Sequence, residues 1–244
     1  MPDIRYAQNE NVDRGDLRMQ VIERGTSTPI DDAKISISYS GDPDSTVEEV
    51  NTDASGMSET LTLDTPPLEL SMQPSEVQPY AEYTIQVTAK GYRPINISGI
   101  EVFSGQLSLQ EIRMDAEEAT ESMTDNIVIP AHTLFAEYPP KIAEAEIKPV
   151  TETGEIVLSR VVIPEYVIVH DGAPSDPTAR DYYVRYRDYI KNVASSEIYA
   201  TWPEDTIRAN VLAIMSFTLN RVYTEWYRNK GYDFTITSST AYDL

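Results

Sequence analysis

The stretch EYTIQVTAKGYRPINISGIEVF, residues 82–103, decides the fold of the first half of this chain. Tyr83, Ile85 and Val87 alternate with polar residues and fall on one face of an extended segment, and INISGIEVF follows after a Lys-Gly turn. Side chains of a strand point alternately to its two faces, so period-two apolar spacing marks a half-buried strand. The same grammar runs outward in both directions. LRMQVIER (17–24) alternates Leu17, Met19 and Val21, TSTPIDDA supplies a turn, and AKISISYS (33–40) alternates Ile35, Ile37 and Tyr39 before GDPDS closes it. TVEEVNTDASG leads into MSETLTLD with Leu61 and Leu63, and QLSLQEIRM ends the series at Met114. Gly, Pro, Asn and Asp punctuate these runs about every ten residues, the signature of an all-β sandwich. Residues 1–16 show no such pattern and read as a disordered or extended N-terminus.

About seven short strands over 17–114 suit an immunoglobulin-like or transthyretin-like sandwich. Three segments sharpen that reading: TSTPIDDAKISI, NTDASGMSETLTL and YTIQVTAKGYRPINISGI resemble the carboxypeptidase-regulatory-like, transthyretin-like fold. The resemblance concerns fold and not activity, and no nucleophile–base pair or ligand cluster is visible within it.

Composition narrows the function. The chain has 244 residues with 41% hydrophobic, enough for two domains with packed cores. It has no cysteine, which excludes disulfides, thiolate metal sites and cysteine nucleophiles. With only His132 and His170, a multi-histidine metal site is not expected, and no cofactor is called for. The N-terminus lacks an apolar secretory segment, and no apolar run approaches the roughly 18 residues of a membrane span. Net charge is −21, of which residues 1–160 carry −18 and 161–244 only −3, an asymmetry that points to two parts with different tasks. Nucleic acid is a poor partner for the acidic part, because phosphate binding needs a basic face.

Residues 115–160 change character. They are acidic and carry Pro130, Pro139, Pro140 and Pro149, which resist helix and central strand alike. The stretch reads as an extended connector, laid across a neighbouring domain through Leu134, Phe135 and Tyr138, with His132 a solvated or packed histidine. Residues 156–170 are β-rich, broken at Pro164, and DGAPSDPTARD is a loop.

The period then becomes helical. RDYIKNVASSEI places Ile190, Val193, Ala194 and Glu197 on one face at i, i+3, i+4, i+7. ATWPEDTIRAN reads as a helix start with Thr201 as N-cap, Pro203 in the first turn and Glu204 completing a capping box. That helix should run from about Trp202 to Arg228, buried on most of its circumference through Ile207, Val211, Ile214, Thr218 and Val222, with Leu212, Met215 and Leu219 widening the face, and Gly231 as its stop.

Glu197 is the candidate for chemistry. A carboxyl held against apolar neighbours at a helix C-terminus is disfavoured as an anion, and a protonated carboxyl is what protonation of a glycosidic oxygen requires. Hydrolases pair it with a second carboxylate. A lytic transglycosylase does not need one, since the substrate's C6 hydroxyl attacks the anomeric carbon. The competing reading is that Glu197 caps its helix or pairs with Arg208 or Lys191. Ser195 and Ser196 either contact sugar hydroxyls or serve close packing. Trp202 either stacks on a sugar or staples its helix to the core. Arg208 reads as a surface partner of Glu204, and Tyr223, Trp226 and Tyr227 form an aromatic run suited to packing more than to glycan.

The stretch YIKNVASSEIYATWPEDTIRANVLAIMSFTLNRVY resembles the SpoIID/LytB family, and VVIPEYVIVHDGAPSDPTARDYYVRYRDYIKNVASSEIYATWPEDTIRAN with NRVYTEWYRNKGYDFTITSSTAYD resembles the cortex-lytic enzymes of the SleC type. The resemblance implies a peptidoglycan lytic transglycosylase with Glu197 as catalytic acid and residues 161–244 as the first part of an α+β catalytic domain. It implies a sandwich pro-region removed by a subtilisin-like germination protease, and a location in the spore cortex or coat region after synthesis in the mother cell. The processing region is placed between Lys141 and Val162, with Arg160–Val161 as one option. A second family motif resembling G-M-S-Q-W-G is not in this sequence, so the expectation is a partial active-site wall in a fragment or a natural truncation. The alternative is a non-catalytic glycan-binding or scaffold protein that keeps only part of that fold.

Overall fold

The computed structural model describes residues 12–73, 77–117, 124–131, 134, 139–140 and 158–243. The chain divides into two compact units, Met1–Thr133 and Leu134–Leu244. It is mostly β-sheet with few helices.

In the first unit, strands β1 (Asp13–Glu23), β4 (Leu61–Thr65) and β7 (Leu107–Met114) form one sheet in the order β4-β1-β7. Strands β2 (Lys34–Tyr39), β3 (Asp42–Asn51), β5 (Tyr80–Thr88), β6 (Ile95–Phe103) and β8 (Asp125–Val128) form the other, in the order β3-β2-β5-β6-β8. The hairpin β5–β6 is antiparallel from Tyr80↔Phe103 to Val87↔Ile95, and Gly91 takes φ +84 in its turn, where a side chain is strained. Leu17, Met19, Val21, Leu63, Ile112 and Met114 of the smaller sheet meet Ile35, Ile37, Ile85, Val87, Ile97 and Val102 of the larger, all buried in one core. Their alternation along each strand is the period-two pattern of the sequence turned into packing.

Three boundaries differ from the sequence expectation. β1 begins at Asp13, inside the stretch taken as extended or disordered, and pairs with β4 from Asp13↔Thr65. Its inward position there is Gly15, which has no apolar side chain to signal burial; a Cβ on it would lie 2.1 Å from the Phe103 carbonyl oxygen. Asp42–Asn51, taken partly as turn, is a ten-residue edge strand of which Val50 alone is buried, so it carries no alternation. β8 lies inside the stretch taken as connector and runs parallel to β6 from Ile95↔Asp125. All four of its residues are partly or fully exposed, so prolines and charge outweighed any strand signal there. Asp115, between Arg24 at 3.1 Å and Arg93 at 3.2 Å, fixes the chain leaving β7.

In the second unit β9 (Tyr166–His170) pairs antiparallel with β10 (Asp181–Arg185) and parallel with β11 (Ile236–Thr237). Helices α1 (Tyr186–Glu197) and α2 (Glu204–Tyr223) pack with them around Val167, Tyr186, Tyr189, Ile190, Val193, Ile214 and Ile236. β10 was not foreseen, because DYYVR leaves both tyrosines exposed. Within the β-rich entry expected over 156–170, residues 161–164 form no strand, and 156–157 lie outside the described residues. No helix among the described residues is long and apolar enough to cross a membrane.

α2 also departs from expectation. Its N-cap is Pro203, whose carbonyl accepts from the backbone of Thr206 and Ile207, and no side chain caps it. Thr201 is two residues too early for a capping box, and Glu204 instead accepts from Arg208 at 2.6 Å. The helix ends after Tyr223, because Glu225 turns left-handed at φ 49. Gly231 stops only the short turn Arg228–Lys230. Full burial is confined to Ile214, Thr218 and Arg221, with Val211, Met215, Leu219 and Val222 half-buried and packed against the core beside them; Leu212 is 63% exposed, so one face is packed and not most of the circumference.

Candidate functional site

Glu197 is the last residue of α1, since Ile198 swings to an extended φ of −144 while its N–H still donates to the Ala194 carbonyl at 3.1 Å. Ile198 and Tyr199 are buried directly after it. The apolar stripe of α1 and these two anchors hold the backbone of Glu197 on a packed base while its side chain stands in solvent. The apolar enclosure expected around this carboxyl is therefore absent: the stripe of Ile190 and Val193 turns inward before the helix ends, and Glu197 sits at its rim.

Its partner is neither Arg208 nor Lys191. Asn210, in the second turn of α2, donates from Nδ2 to Glu197 Oε2 at 2.7 Å. Arg208 is engaged with Glu204 and, at 3.9 Å, with Asp205. Asn210 was not singled out in the sequence; the signal available was its place on the second of two helices flanking a buried Ile-Tyr link. Ser195 and Ser196 are exposed, not packed, and both hydroxyls donate to the Asn192 carbonyl at 2.9 Å. Each keeps lone pairs for a ligand donor. Trp202 is half-buried, with its backbone N–H on the Tyr199 carbonyl at 3.1 Å. Ser195, Ser196 and Glu197 thus end α1, and Trp202 lies in the link that follows it.

Two further polar clusters shape the unit. Asp243 is buried and receives Arg221 Nε at 3.0 Å, the Tyr227 hydroxyl at 2.5 Å, and both the backbone N–H and the hydroxyl of Thr237, at 2.9 and 2.7 Å. Arg221 also lies over Phe217 and Trp226 at 4.6 and 4.5 Å. Burial, and then the bond to Asp243, push the Tyr227 hydroxyl well above the usual range of a phenol. This ties α2 and Tyr227 to β11 through both oxygens of one carboxylate. His170 is buried against Phe234 at 4.4 Å with Nδ1 on Asp181 at 2.7 Å. Tyr227 is packing, as expected, while Trp226 is half-buried beside a cleft of about 150 Å³ lined also by Tyr166, Glu225 and Arg228. Among the described residues no group of three or more His, Asp or Glu is placed to hold a metal.

Arg160 and Val161 are exposed in a stretch without regular structure, Val161 at 60%. Within the expected processing region Lys141–Val162, residues 141–157 lie outside the described residues, as do His132, Phe135 and Tyr138, while Val162 is exposed. Leu134 donates its N–H to the Tyr199 hydroxyl at 3.4 Å.

No protein-family model matches the chain, and no curated protein matches it. Among solved structures it is similar to the TIE protein of Bacillus anthracis, at 15% identity and a TM-score of 0.30 over 43% of this chain and 17% of that one. It is also similar to the minor pilin of Streptococcus agalactiae, at 10% identity and a TM-score of 0.31 over 49% of each chain. A 3-chlorocatechol 1,2-dioxygenase of Rhodococcus opacus follows at 11% identity and 0.30, over 43% of this chain and 61% of that one. The chain spans less than two thirds of each of the three.

Proposed function

We propose that this chain is the pro-form of a spore-cortex peptidoglycan lytic transglycosylase used in germination, with Glu197 as its proton donor. The observation that carries the reading is the setting of Glu197: a solvent-facing carboxyl at a helix end, held by the Asn210 amide, with two exposed serines before it in the last turn. An extended glycan reaches such a group without entering a closed pocket. In the reaction Glu197 gives its proton to the glycosidic oxygen as the C1–O4 bond breaks. The C6 hydroxyl attacks C1, and its proton returns to the Glu197 carboxylate, so one residue acts as acid and then base. No water is consumed and no second carboxylate is required. Desolvation by the bound sugar replaces the apolar enclosure that the free chain lacks. In this reading Ser195 and Ser196 accept from sugar hydroxyls and Trp202 lines the strand.

The first unit serves as the pro-region. The exposed, irregular Arg160–Val161 segment supports cleavage there by a subtilisin-like protease, which needs an extended backbone to bind. A second reading, glycan binding without catalysis, is favoured by Tyr166 and Tyr183, exposed on the same face of β9 and β10. Mass spectrometry of muropeptides separates the two. Cortex peptidoglycan treated with the cleaved chain, alone and joined to a segment supplying the second family motif, should yield anhydromuramic ends that Glu197→Gln abolishes. Bound glycan without anhydro ends from either form would establish the binding reading, and reducing ends would mark a hydrolase.

A further inference from the structure

Asn210 carries an observation that the proposed chemistry does not use. Its Nδ2 donates to Glu197, yet its Oδ1 is buried and has no hydrogen-bond partner. Buried carbonyl oxygens without partners are costly and uncommon in folded proteins, so one beside a candidate acid calls for a cause.

We propose that Asn210 is the positioning residue of Glu197, its side-chain amide turning over to serve the acid in both protonation states; this rests on the reading of Glu197 as proton donor. The two ends of a carboxamide are nearly equal in size, one a donor and the other an acceptor. Toward the carboxylate, Nδ2–H donates to Oε2, the arrangement in the structure. Toward the protonated acid, the amide rotated by half a turn presents Oδ1 to accept the carboxyl O–H. The unpartnered Oδ1 is what makes the rotation cheap, because no second bond breaks when it leaves its place. A cationic partner such as Arg208 would bind one state only, and Arg208 is held by Glu204 and Asp205 instead. Among the described residues Tyr189 of α1 also feels the Glu197 charge; burial holds this phenol well above its usual range, and it is thus neutral wherever a carboxyl titrates. Asn210 therefore keeps the carboxyl in one place while its proton leaves and returns, in two steps of a single turnover.

The test uses nuclear magnetic resonance on the chain as it stands, following the Glu197 carboxyl carbon and the Asn210 side-chain amide from about pH 3 to pH 8, across the ordinary carboxylate range. The Asn210 amide signals should move with the same midpoint as the Glu197 carboxyl, and Glu197→Gln should flatten them. Amide signals that stay level while Glu197 titrates would overturn the proposal whatever the chain does to glycan. On cortex peptidoglycan, Asn210→Leu should lower kcat roughly tenfold or more with little change in KM, the loss of one hydrogen bond to a charged group, and Asn210→Gln should restore part of it. Full activity in Asn210→Leu beside an inert Glu197→Gln overturns the positioning role while leaving the proton donor intact. No activity in any form, with coupled titrations, removes the enzyme reading and keeps the contact.

Discussion

Replacing Asp243 by Asn should unfold the second unit far more readily than any surface change. The carboxylate receives four hydrogen bonds, from Arg221, the Tyr227 hydroxyl and twice from Thr237, and its partner Arg221 is 3% exposed. Asparagine keeps one acceptor oxygen but sets an NH2 against donors and leaves a buried guanidinium without its counter-charge. For charges roughly 4 Å apart at an effective dielectric of about 20, the lost attraction is about 4 kcal/mol, inside the ~3–5 kcal/mol seen when one member of a buried pair is removed. The faces of Phe217 and Trp226 stay over the guanidinium in both forms and so leave the difference unchanged. Both tryptophans of the chain, Trp202 and Trp226, lie in the second unit, so their fluorescence reports on it alone. With a urea slope of about 1–3 kcal/mol/M, the midpoint should fall by roughly 1–3 M. A fall of less than about 0.3 M at unchanged slope would refute the claim that this pair holds α2 to β11. The double change Arg221→Leu with Asp243→Asn should recover part of the loss, since it removes the unpaired buried charge while the asparagine oxygen still accepts from Tyr227 and Thr237.

Gly99→Ala should destabilise the sandwich by about 1–3 kcal/mol, because the backbone sits at φ +82 and the new Cβ would meet the Ile129 carbonyl oxygen at 2.1 Å. Hydrogen exchange should show the loss first along β6 and β8, and unchanged protection there would contradict it. Glu82 faces Glu101 across β5 and β6, and burial first, then that charge, raise its pKa. A raised carboxyl costs nothing below its unfolded pKa, where both states are protonated, and stability is lost as pH rises through the folded value. Glu82→Gln should therefore raise the thermal midpoint at pH 7 by the equivalent of about 0.2–1 kcal/mol and make no difference at about pH 3; equal gains at both pH values would exclude the charge as the cause. Limited trypsin digestion should cut after Arg160 before it cuts after Arg18 or Arg113, which lie inside paired strands, as intact-mass analysis can read. A first cut within Asp13–Met114 would mean that the sandwich is not the stable unit described.

How much was legible depended on whether burial and sequence period coincide. Tyr83, Ile85 and Val87 alternate and are buried, and the strands around them are where the spacing puts them. β3, β8 and β10 were missed or only half seen because they are edge strands whose side chains face water, so main-chain pairing holds them without leaving an apolar trace. In α2 the number of apolar residues misled: Leu212 and Phe217 are exposed, and the packed stripe includes Thr218 and Arg221, the latter made buriable by an aspartate 22 residues away. No local pattern announces such a pair.

The candidate site divides in the same way. The place of Glu197 at the end of α1 follows from four residues at helical spacing, which a sequence displays. Its exposure does not, because it depends on where the chain leaves the helix, and Ile198 and Tyr199 take the buried positions that Glu197 was expected to share. Its partner was equally hidden: Asn210 stands thirteen residues on, in another helix, and nothing in ATWPEDTIRAN distinguishes that amide from a surface one. A charge partner was the natural guess from Arg208 and Lys191, yet a cation would hold the carboxylate too well to let it serve as an acid. A neutral amide binds the carboxyl without favouring one protonation state as strongly, and that is the property a group must have if it is to give up a proton and take one back within a turnover.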